Sequence, residues 1–432
     1  MDNRPLSLQK VFFQGDPYSP IIFLITFNPL LQYLKQFEAK YGYNLTVKSG
    51  NETTNSKPII TTPFCDDFNL LTRNKLQHQK IQNDIQEKAT SMGFVFKPKK
   101  CRSYSICSGK PTPVDFFLMD FADPLNPVKT KLKTLVDDPH KFLGQIITHR
   151  NSSIDHFTFM SEILRTKLEN LDSCGVRNEY KIATYERYLI ISLRYHFSIH
   201  TVHQTHLDKL DMIANKYLKK WAGIPARGST NLSLFHPQLM GLKAPSQLYM
   251  EGHAGNLLIC KLKADETVQL AIESQLARET NWTRKSSTIV QCQEIIDIVS
   301  DNSFFPTPTN CHNYRSSVAS ETPKLKKAVK NAILDQVKEK WNKKAQDLEI
   351  QGDFLKLLKE EDSDVTWKSY IYGVPKGVMS FAMRSTTNTL ATPDNLRRWK
   401  KTRSDICTMC HVITVCSNDK EYEGSRLYFE LS

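Results

Sequence analysis

Residues 59–72 have the sequence IITTPFCDDFNLLT, and this stretch decides how the rest of the chain is interpreted. Two β-favouring runs, at 59–64 and 68–71, flank the adjacent carboxylates of Asp66 and Asp67. Short apolar runs separated by turn residues predict a β-hairpin with the acidic pair at its tip. Neighbouring carboxylates repel each other, and their hard oxygen atoms suit Mg²⁺ or Mn²⁺. The simpler interpretation is a solvated turn, since Asp is common in turns.

The composition is that of a soluble globular protein with an excess of basic residues. The chain has 432 residues, of which 40% are hydrophobic and 24% charged, so it is long enough for two or three domains. Its formal net charge of +13 favours a polyanionic partner. We expect nucleic acid and no membrane, because no run approaches the roughly 18 apolar residues of a membrane span.

Two features predict the compartment in which the chain works. The first residues, MDNRP, contain no apolar signal core, which argues against secretion. Ten cysteines without a regular spacing indicate reduced thiols rather than a disulfide framework. We therefore expect a nuclear or cytoplasmic protein.

Upstream of the acidic hairpin, a turn leads into a helix. Residues 14–17, QGDP, are typical of a turn, and Ser19 with Pro20 forms a helix start. Apolar residues then recur at helical spacing as far as Leu34. A plain junction between a loop and a helix would explain this pattern without any functional role.

Downstream of the hairpin, the predicted elements alternate between helix and strand. An amphipathic helix is predicted over 74–92, and GFVFKPKKC at 93–101 predicts a turn, a strand and a basic loop. Residues 142–147, FLGQII, predict another short strand. The order is helix, acidic hairpin, helix, strand with a basic loop, and strand.

This order of elements and motifs resembles the palm of reverse transcriptases from non-long-terminal-repeat retrotransposons. Residues 14–20, QGDPYSP, are similar to the family's motif B, and 64–67, FCDD, to motif C, where Ala or Val is usual at the place of Cys65. Residues 93–101 match motif D, and 142–144, FLG, match motif E. Four motifs in the same order are far more specific than any one of them.

The resemblance implies an α+β fold. It predicts a partial polymerase palm, made of a small antiparallel sheet with packed helices, followed by a mostly helical thumb and a C-terminal helical region. It also implies two-metal nucleotidyl transfer with Mg²⁺ or Mn²⁺, using an RNA template and a DNA primer or target. The oligomeric state stays open.

The resemblance also assigns roles to individual residues. Asp66 would be the main motif C metal ligand and Asp67 its weaker neighbour. The lysines of the basic loop would lie near the triphosphate, the motif B residues would shape the template and nucleotide pocket, and the motif E residues would hold the primer. These further residues are Lys99 and Lys100, then Gln14, Gly15, Asp16 and Pro17, then Phe142, Leu143 and Gly144.

One part of the family pattern is missing from the sequence as written. The family carries a further catalytic Asp, in motif A, on a strand upstream of motif B, and the fingers upstream of that strand. Only thirteen residues precede Gln14. We therefore expect a truncated, weak or inactive polymerase that still binds nucleic acid, because two-metal chemistry without its bridging carboxylate loses orders of magnitude in rate.

The remaining sequence predicts a succession of segments. We assign 1–150 to the partial palm, 151–260 to a helical thumb-like region, 261–323 to an uncertain connection that ends in a linker at 300–323, 324–405 to a basic helical region and 406–432 to a tail. Helices are predicted at 161–171, 179–199, 206–221 and 324–344. The lysines of the last helix face either phosphates or water, and the sequence leaves both interpretations open.

The tail contains the ligand types of a CCHC zinc site. These residues are Cys407, Cys410, His411 and Cys416. Tetrahedral Zn²⁺ needs a loop between its two ligand pairs so that they approach from opposite sides, whereas Cys410 and His411 are adjacent. The segment is therefore interpreted as a degenerate zinc knuckle in which zinc binding is doubtful.

Two alternatives compete with the polymerase interpretation. The first is a non-enzymatic, domesticated protein that keeps the scaffold and binds nucleic acid. The second is an RNA-virus polymerase, which also places Asp-Asp on a hairpin. In that class a Gly usually precedes the pair and motif B is rich in Ser and Gly, so Phe64-Cys65 and the QGDP sequence argue against it.

Overall fold

The fold class is α+β, as the sequence predicts. In a computed structural model, the structure describes residues 17–49, 52–120, 128–150, 152–225, 234–236, 240–262, 265–283, 286–302, 311–348 and 375–403. Over these ranges, helices dominate and the strands form small two-stranded pairs.

Twelve short strands are found in the first part of the described chain. They are β1 Tyr43–Ser49, β2 Glu52–Ile59, β3 Thr61–Phe64, β4 Asp67–Leu70, β5 Arg102–Ser103, β6 Ile106–Cys107, β7 Lys110–Pro111, β8 Phe117–Asp120, β9 Val128–Lys131, β10 Lys133–Thr134, β11 His140–Phe142 and β12 Gln145–Ile147. Five antiparallel pairs are formed by β1 with β2, β3 with β4, β6 with β7, β8 with β9, and β11 with β12. A short parallel pair joins β5 to β10.

The helices begin before the strands and make up most of the later chain. They are α1 Ser19–Lys35, α2 Glu38–Tyr41, α3 Lys75–Ser91, α4 Ser153–Ser173, α5 Asn178–Thr184, α6 Ile190–Ser192, α7 Arg194–Ile199, α8 Gln204–Ala222, α9 Pro245–Leu262, α10 Glu266–Thr283, α11 Thr288–Asn302, α12 Cys311–Gln346, α13 Lys376–Thr386 and α14 Pro393–Arg398. A 3-10 turn covers Pro98–Lys100, and a π-helical turn covers Tyr185–Leu189. None of the described helices combines the length and the apolar character needed to cross a membrane.

Contacts between residues divide the chain into two compact units. The first unit comprises Met1–Thr166, Ser192–Asp211 and Pro245–Ile333, and the second comprises Lys167–Ile191, Met212–Ala244 and Leu334–Ser432. The succession of five segments proposed from the sequence stays a prediction.

In the first unit, α1 and α3 pack together over the acidic hairpin. The apolar stripe predicted for α1 is buried at Phe27, Leu30 and Leu34. It meets Ile81 and Ile85 of α3, and partly buried aromatic side chains complete this core. Burial of such apolar area is the main stabilising contribution to this part of the fold.

Glutamines of α3 cover one edge of β8. Gln86 accepts a hydrogen bond from the Met119 amide at 3.0 Å and donates one to the Met119 carbonyl. Gln79 does the same with Phe117, accepting at 3.1 Å and donating at 2.9 Å. Gln82 donates a further bond of 2.8 Å to the Phe117 carbonyl. The helix therefore satisfies backbone groups that would otherwise form an exposed strand edge.

A second cluster in the first unit is formed by helices from distant parts of the chain. Helix α9 packs against α7 and α11. The buried Tyr249 hydroxyl accepts a hydrogen bond from the Val202 amide at 3.0 Å and lies 3.0 Å from the Thr288 hydroxyl. His253 stacks on the Tyr249 ring at 4.1 Å. Burial raises the pKa of Tyr249 and lowers the pKa of His253 to about 4.

Helix α10 supports the first β-hairpin of the same unit. It lies against β1 and β2, where Glu266 pairs with Lys57 at 2.5 Å and the Ser274 hydroxyl donates to the Thr46 carbonyl at 3.1 Å. Most of residues 261–323 carry no pattern that predicts a structure or a role. Residues 266–283 and 288–302 are helical and belong to the first unit.

The second unit contains large buried aromatic side chains, with hydrogen bonds and an ion pair next to one of them. Trp221, whose side chain is 2% exposed, donates its indole N–H to Asp172 at 2.8 Å. Lys220 contacts the same carboxylate at 2.7 Å, and these two hydrogen bonds hold the pKa of Asp172 below its usual range. Elsewhere in this unit, Phe235 packs against Trp341 with ring centres 6.1 Å apart.

Three sequence expectations about local structure are wrong. Residues 94–96 form no strand, because Phe94 and Phe96 bury their rings in the core without a hydrogen-bonded neighbour strand. Residues 142–147 form the turn and second strand of a hairpin, because Leu143 and Gly144 adopt positive φ angles of 48° and 80°. The predicted linker at 300–323 is helical from Cys311 onward, and α12 continues through Pro323.

Candidate active site

The acidic pair lies at the tip of the β3–β4 hairpin, as predicted. Phe64 pairs with Asp67, which leaves Cys65 and Asp66 as a two-residue turn. Cys65 has a φ of 52°, in the left-handed region that such tight turns require. Asp66 and Asp67 are both exposed. The turn therefore presents two adjacent carboxylates to solvent or to a ligand.

Apolar contacts fix the base of this hairpin. Phe68, next to Asp67, lies 6.0 Å from Phe27 of α1 and 5.7 Å from Phe96, measured between ring centres. Ile60 at the start of the hairpin is fully buried. A rigid base of this kind holds the exposed tip in a defined position, which a metal or ligand site needs.

The β11–β12 hairpin carries the motif E residues. Phe142 pairs with Gln145, so Leu143 and Gly144 form its two-residue turn. The Tyr195 hydroxyl of α7 donates a hydrogen bond to the Leu143 carbonyl. A methyl group added at Gly144 would lie 2.6 Å from the Tyr195 ring, so both the positive φ and the close aromatic ring require glycine here.

Arg102 ties the basic loop of motif D to the chain before β11. Its guanidinium group donates 2.8 Å bonds to the carbonyls of Lys99 and Cys101 and pairs with Asp138 at 2.7 Å. Lys133 also contacts Asp138, at 3.1 Å. Hydrogen bonds from Lys133, together with the charge of Arg102, lower the pKa of Asp138.

The pKa of His140, on β11, depends on charges from both the motif C and the motif D segments. Burial lowers its pKa most, the positive charge of Arg102 lowers it further, and the negative charges of Asp67 and Asp138 act in the opposite direction. An electrostatic effect of this kind requires short separations. The fold therefore places Asp67 and Arg102 close enough to His140 for both charges to act on its pKa.

The chemistry of the acidic turn fits a divalent cation in part. Carboxylate oxygens are suitable ligands for Mg²⁺ and Mn²⁺, and Mg²⁺ is often held by one or two carboxylates together with water and substrate phosphates. In the part of the chain that the structure describes, no group of three or more His, Cys, Asp or Glu side chains is arranged to hold a metal ion. Asp66 and Asp67 can supply two ligands of such a site.

The other predicted site residues are placed as follows. Lys99 and Lys100 are exposed on the 3-10 turn, and neither forms an ion pair with Asp66 or Asp67. Pro17 is exposed just before α1. The remaining motif B residues and the four zinc candidates lie outside the described residues: Gln14, Gly15 and Asp16, and Cys407, Cys410, His411 and Cys416.

Three residues near the site were missed by sequence reasoning. Arg102 follows motif D by one position and His140 precedes motif E by two, so their proximity to the motifs was visible. Their proximity to each other and to Asp67 depends on how the hairpins pack, which the sequence does not reveal. Tyr195 gave no signal, because it contacts a turn that is 52 residues away.

Residues 2–147 match the family described as reverse transcriptase (RNA-dependent DNA polymerase). The match covers about a third of the chain and includes both the acidic hairpin and β11–β12. No curated protein matches the chain. The similarity to a reverse transcriptase domain therefore concerns the region that contains residues 14–20, 64–67, 93–101 and 142–144, on which the resemblance rests.

Proposed function

We propose that this chain is the palm and following helical region of an RNA-directed DNA polymerase from a non-long-terminal-repeat retrotransposon. The observation that carries the proposal is the exposed Asp66-Asp67 turn. The charge of Asp67 acts on the pKa of His140, and so does the charge of Arg102. The family match over 2–147 supports the reverse transcriptase part of this assignment. Template RNA and a DNA primer or target are the proposed partners.

In this proposal each motif has one task. Asp66 and Asp67 would hold Mg²⁺ or Mn²⁺, and such an ion would supply activation of the primer hydroxyl and neutralisation of the triphosphate charge. Lys99 and Lys100 attract the triphosphate, and Arg102 supports them by fixing the backbone of the turn. The motif B residues, including Pro17, contact template and nucleotide. Leu143 and its neighbours in the β11–β12 turn hold the primer strand.

We further propose that the 432-residue polypeptide extends a primer weakly or not at all while still binding nucleic acid. Two-metal transfer uses an additional carboxylate that bridges both ions, and the described residues bring no third acidic ligand to Asp66 and Asp67. The alternative is a domesticated protein whose role is binding alone. The net charge of +13 favours binding to nucleic acid in both interpretations.

Binding and extension are measured separately to test this proposal. The purified chain is mixed with a labelled DNA primer on an RNA template, with Mg²⁺ or Mn²⁺, and both fluorescence anisotropy and primer extension are followed. We expect binding with little extension. Rapid extension would contradict the proposed impairment, and absence of binding would contradict both the polymerase and the domesticated alternative.

The acidic turn is tested by its affinity for Mn²⁺, which is measured by electron paramagnetic resonance without reference to activity. The double variant Asp66→Asn, Asp67→Asn should lose the bound Mn²⁺ and any residual extension. Glu87→Gln, which changes an exposed acid on α3, is the matched control and should behave like the unmodified chain. Equal Mn²⁺ binding by all three proteins would remove the metal role from this turn.

The proposed location is the nucleus or the cytoplasm. None of the described cysteines forms a disulfide bond: Cys65, Cys101, Cys107, Cys174, Cys260 and Cys292. Cysteines without disulfide bonds are compatible with a reducing compartment, which supports the proposal. Imaging of the tagged chain in cells tests it.

A further inference from the structure

Residues 397–403, RRWKKTR, form an exposed basic segment at the end of the described part of the second unit. Five of these seven residues are cations and none is acidic. All seven are exposed, including Trp399, of which 38% is exposed. An accessible Trp ring among cations offers an aromatic face for stacking next to charges that attract phosphates.

The backbone that carries this segment is held by a buried amide. Asn395, which is fully buried, donates hydrogen bonds to the Leu390 carbonyl at 2.8 Å and to the Asn388 side chain at 3.1 Å. Its own amide N–H donates to the Thr392 hydroxyl at 3.3 Å, which caps α14. The segment therefore starts from a fixed point, and less conformational entropy is lost when a ligand binds.

The preceding helix is also tied to the second unit. Arg384 of α13 donates to the Gly223 carbonyl at 3.0 Å, and the Ser380 hydroxyl donates to the same oxygen at 3.3 Å. Between residues 375 and 403 there are seven cations and a single acid, Asp394. The positive potential of this region is therefore not cancelled by its own sequence.

The lysines of α12 differ from this segment in two ways. Over residues 334–348, four lysines alternate with three acids, so the helix face is nearly neutral. Its Trp341 is buried, with 4% of the side chain exposed, and Lys344 lies over the ring at 5.2 Å. This part of α12 has the character of a solvated helix face, which leaves 397–403 as the stronger candidate for a polyanion.

We propose that the basic segment 397–403 binds single-stranded nucleic acid. Lys400, Lys401 and Arg403 contact backbone phosphates, and Trp399 stacks on an unpaired base. The aromatic ring selects single strands, since bases in a duplex are already stacked and offer no free face. This site lies in the second unit and does not depend on the polymerase assignment of the first.

The test uses the full chain and a labelled oligouridylate, with anisotropy measured over a series of salt concentrations. The double variant Lys400→Gln, Lys401→Gln should reduce the slope of log affinity against log salt by about 1.4, since each single-strand phosphate contact contributes about 0.7. Trp399→Ala should weaken binding about tenfold without changing the slope, because it removes stacking and not charge. Trp399→Phe should retain most of the affinity.

The matched control is Lys338→Gln, Lys343→Gln, which removes the same charge from α12 in the same unit. It should leave both affinity and slope unchanged within twofold. Equal losses in both double variants would overturn the proposal, because binding would then follow total charge. Tighter binding to anionic lipid vesicles than to the oligonucleotide would overturn it as well, as would normal binding by a folded Trp399→Ala variant.

A separate measurement keeps this proposal distinct from the proposed polymerase function. Asp66→Asn, Asp67→Asn should bind oligouridylate as well as the unmodified chain does, since the acidic turn belongs to the first unit. Loss of oligouridylate binding in that variant would place the binding site at the palm and would contradict the role of 397–403.

Discussion

The Tyr195 hydroxyl donates a hydrogen bond to the carbonyl of Leu143, and the Tyr195 ring lies against the adjacent Gly144. Leu143 has a φ of 48°, which costs a non-glycine residue about 1 kcal/mol or more. The hydrogen bond to its carbonyl offsets part of this strain. A single aromatic side chain of α7 thus sets the position of the turn to which the proposed primer-holding residues belong.

Substitution of Gly144 should destabilise this hairpin more than its backbone angle alone would. Gly144→Ala adds a methyl group 2.6 Å from the Tyr195 ring and keeps the φ of 80°. We expect a loss of about 2–4 kcal/mol in free energy of unfolding, from backbone strain together with overpacking. Thermal unfolding and amide hydrogen exchange of β11–β12 measure the effect.

Gly109 provides the matched control for that substitution. Its φ is 74°, yet nothing lies within 4 Å of the position that a methyl group would occupy. Gly109→Ala should therefore cost about 1 kcal/mol, from strain alone. Equal losses in the two variants would show that the contact with Tyr195 contributes nothing to the requirement for glycine.

The charge of Asp67 should be detectable in the titration of His140. The negative charge of Asp67 raises the pKa of His140, against the lowering effects of burial and Arg102. Asp67→Asn removes that contribution, so the pKa of His140 should fall further. The His140 ring-proton shift, followed by NMR against pH, measures the change.

Asp66→Asn is the control for this titration. Asp66 is adjacent to Asp67, but the charges that act most on the pKa of His140 are those of Arg102, Asp67 and Asp138. We expect a clearly smaller change in the pKa of His140 in this variant. A shift equal to that in Asp67→Asn would mean that His140 responds to the net charge of the turn and that Asp67 has no special position.

The first unit should lose stability in mildly acidic solution. Burial lowers the pKa of His78 and of His253 to about 4 in the folded chain. Both values lie below the ordinary 6.5 of the unfolded chain, so the neutral ring favours folding. The stabilisation is complete above about pH 6.5 and is lost as the pH falls towards 4, by at most about 3 kcal/mol for each histidine.

A His253 variant separates the contribution of this residue to the acid sensitivity of the first unit from the contributions of other titrating groups. His253 donates a 3.0 Å hydrogen bond to the His200 carbonyl, and glutamine at this position can keep a donor without the titrating ring. The difference in melting temperature between pH 7 and pH 5 should shrink in His253→Gln. An unchanged difference would assign the acid sensitivity to other groups.

Removal of the Gln86 amide should destabilise the packing of α3 on β8. Gln86→Ala leaves the N–H and the carbonyl of Met119 without the partner that satisfies both. We expect a loss of about 1–3 kcal/mol, the usual cost of an unsatisfied buried polar group. Chemical denaturation measures it, with Glu87→Ala on the exposed face of the same helix as control. Equal stability of the two variants would mean that water replaces the amide at no cost.

The features predicted correctly from the sequence are those with a local cause. The β3–β4 hairpin follows from two short β-favouring runs on either side of Asp66 and Asp67, and α1 follows from its Ser-Pro start and helical apolar spacing. The helix over 74–92 likewise needed only its own residues, and Asn74 caps it by accepting from the Gln77 amide at 3.0 Å. Local chemistry was sufficient in each case.

The features that were missed depend on residues far apart in the chain. Lys57 and Glu266 are 209 positions apart, and Thr46 and Ser274 are 228 apart, so no local pattern could place α10 on β1 and β2. The strand expected at 94–96 failed for a related reason. Its residues are apolar and favour a strand, but a strand also needs a hydrogen-bonded neighbour, and the packing supplied aromatic contacts instead.

The same distinction between local and distant causes applies to the candidate site. The motifs selected Asp66, Asp67 and residues 142–144 as site candidates, because these residue types occur in a recognisable order, and their roles stay predictions. The grouping of Asp67 with Arg102 and His140 arises from three separate hairpins and turns, and it became visible only in three dimensions.

The amides that α3 presents to β8 also limit how this protein can assemble. β8 pairs with β9 on one side and with Gln79, Gln82 and Gln86 on the other. Both flanks of that strand are occupied, so lateral growth of the ribbon by a second molecule has to begin at β9. The glutamines of α3 occupy the backbone groups of β8 that a neighbouring strand would otherwise bind. They therefore protect this edge of β8 from β-pairing with a second molecule at high protein concentration.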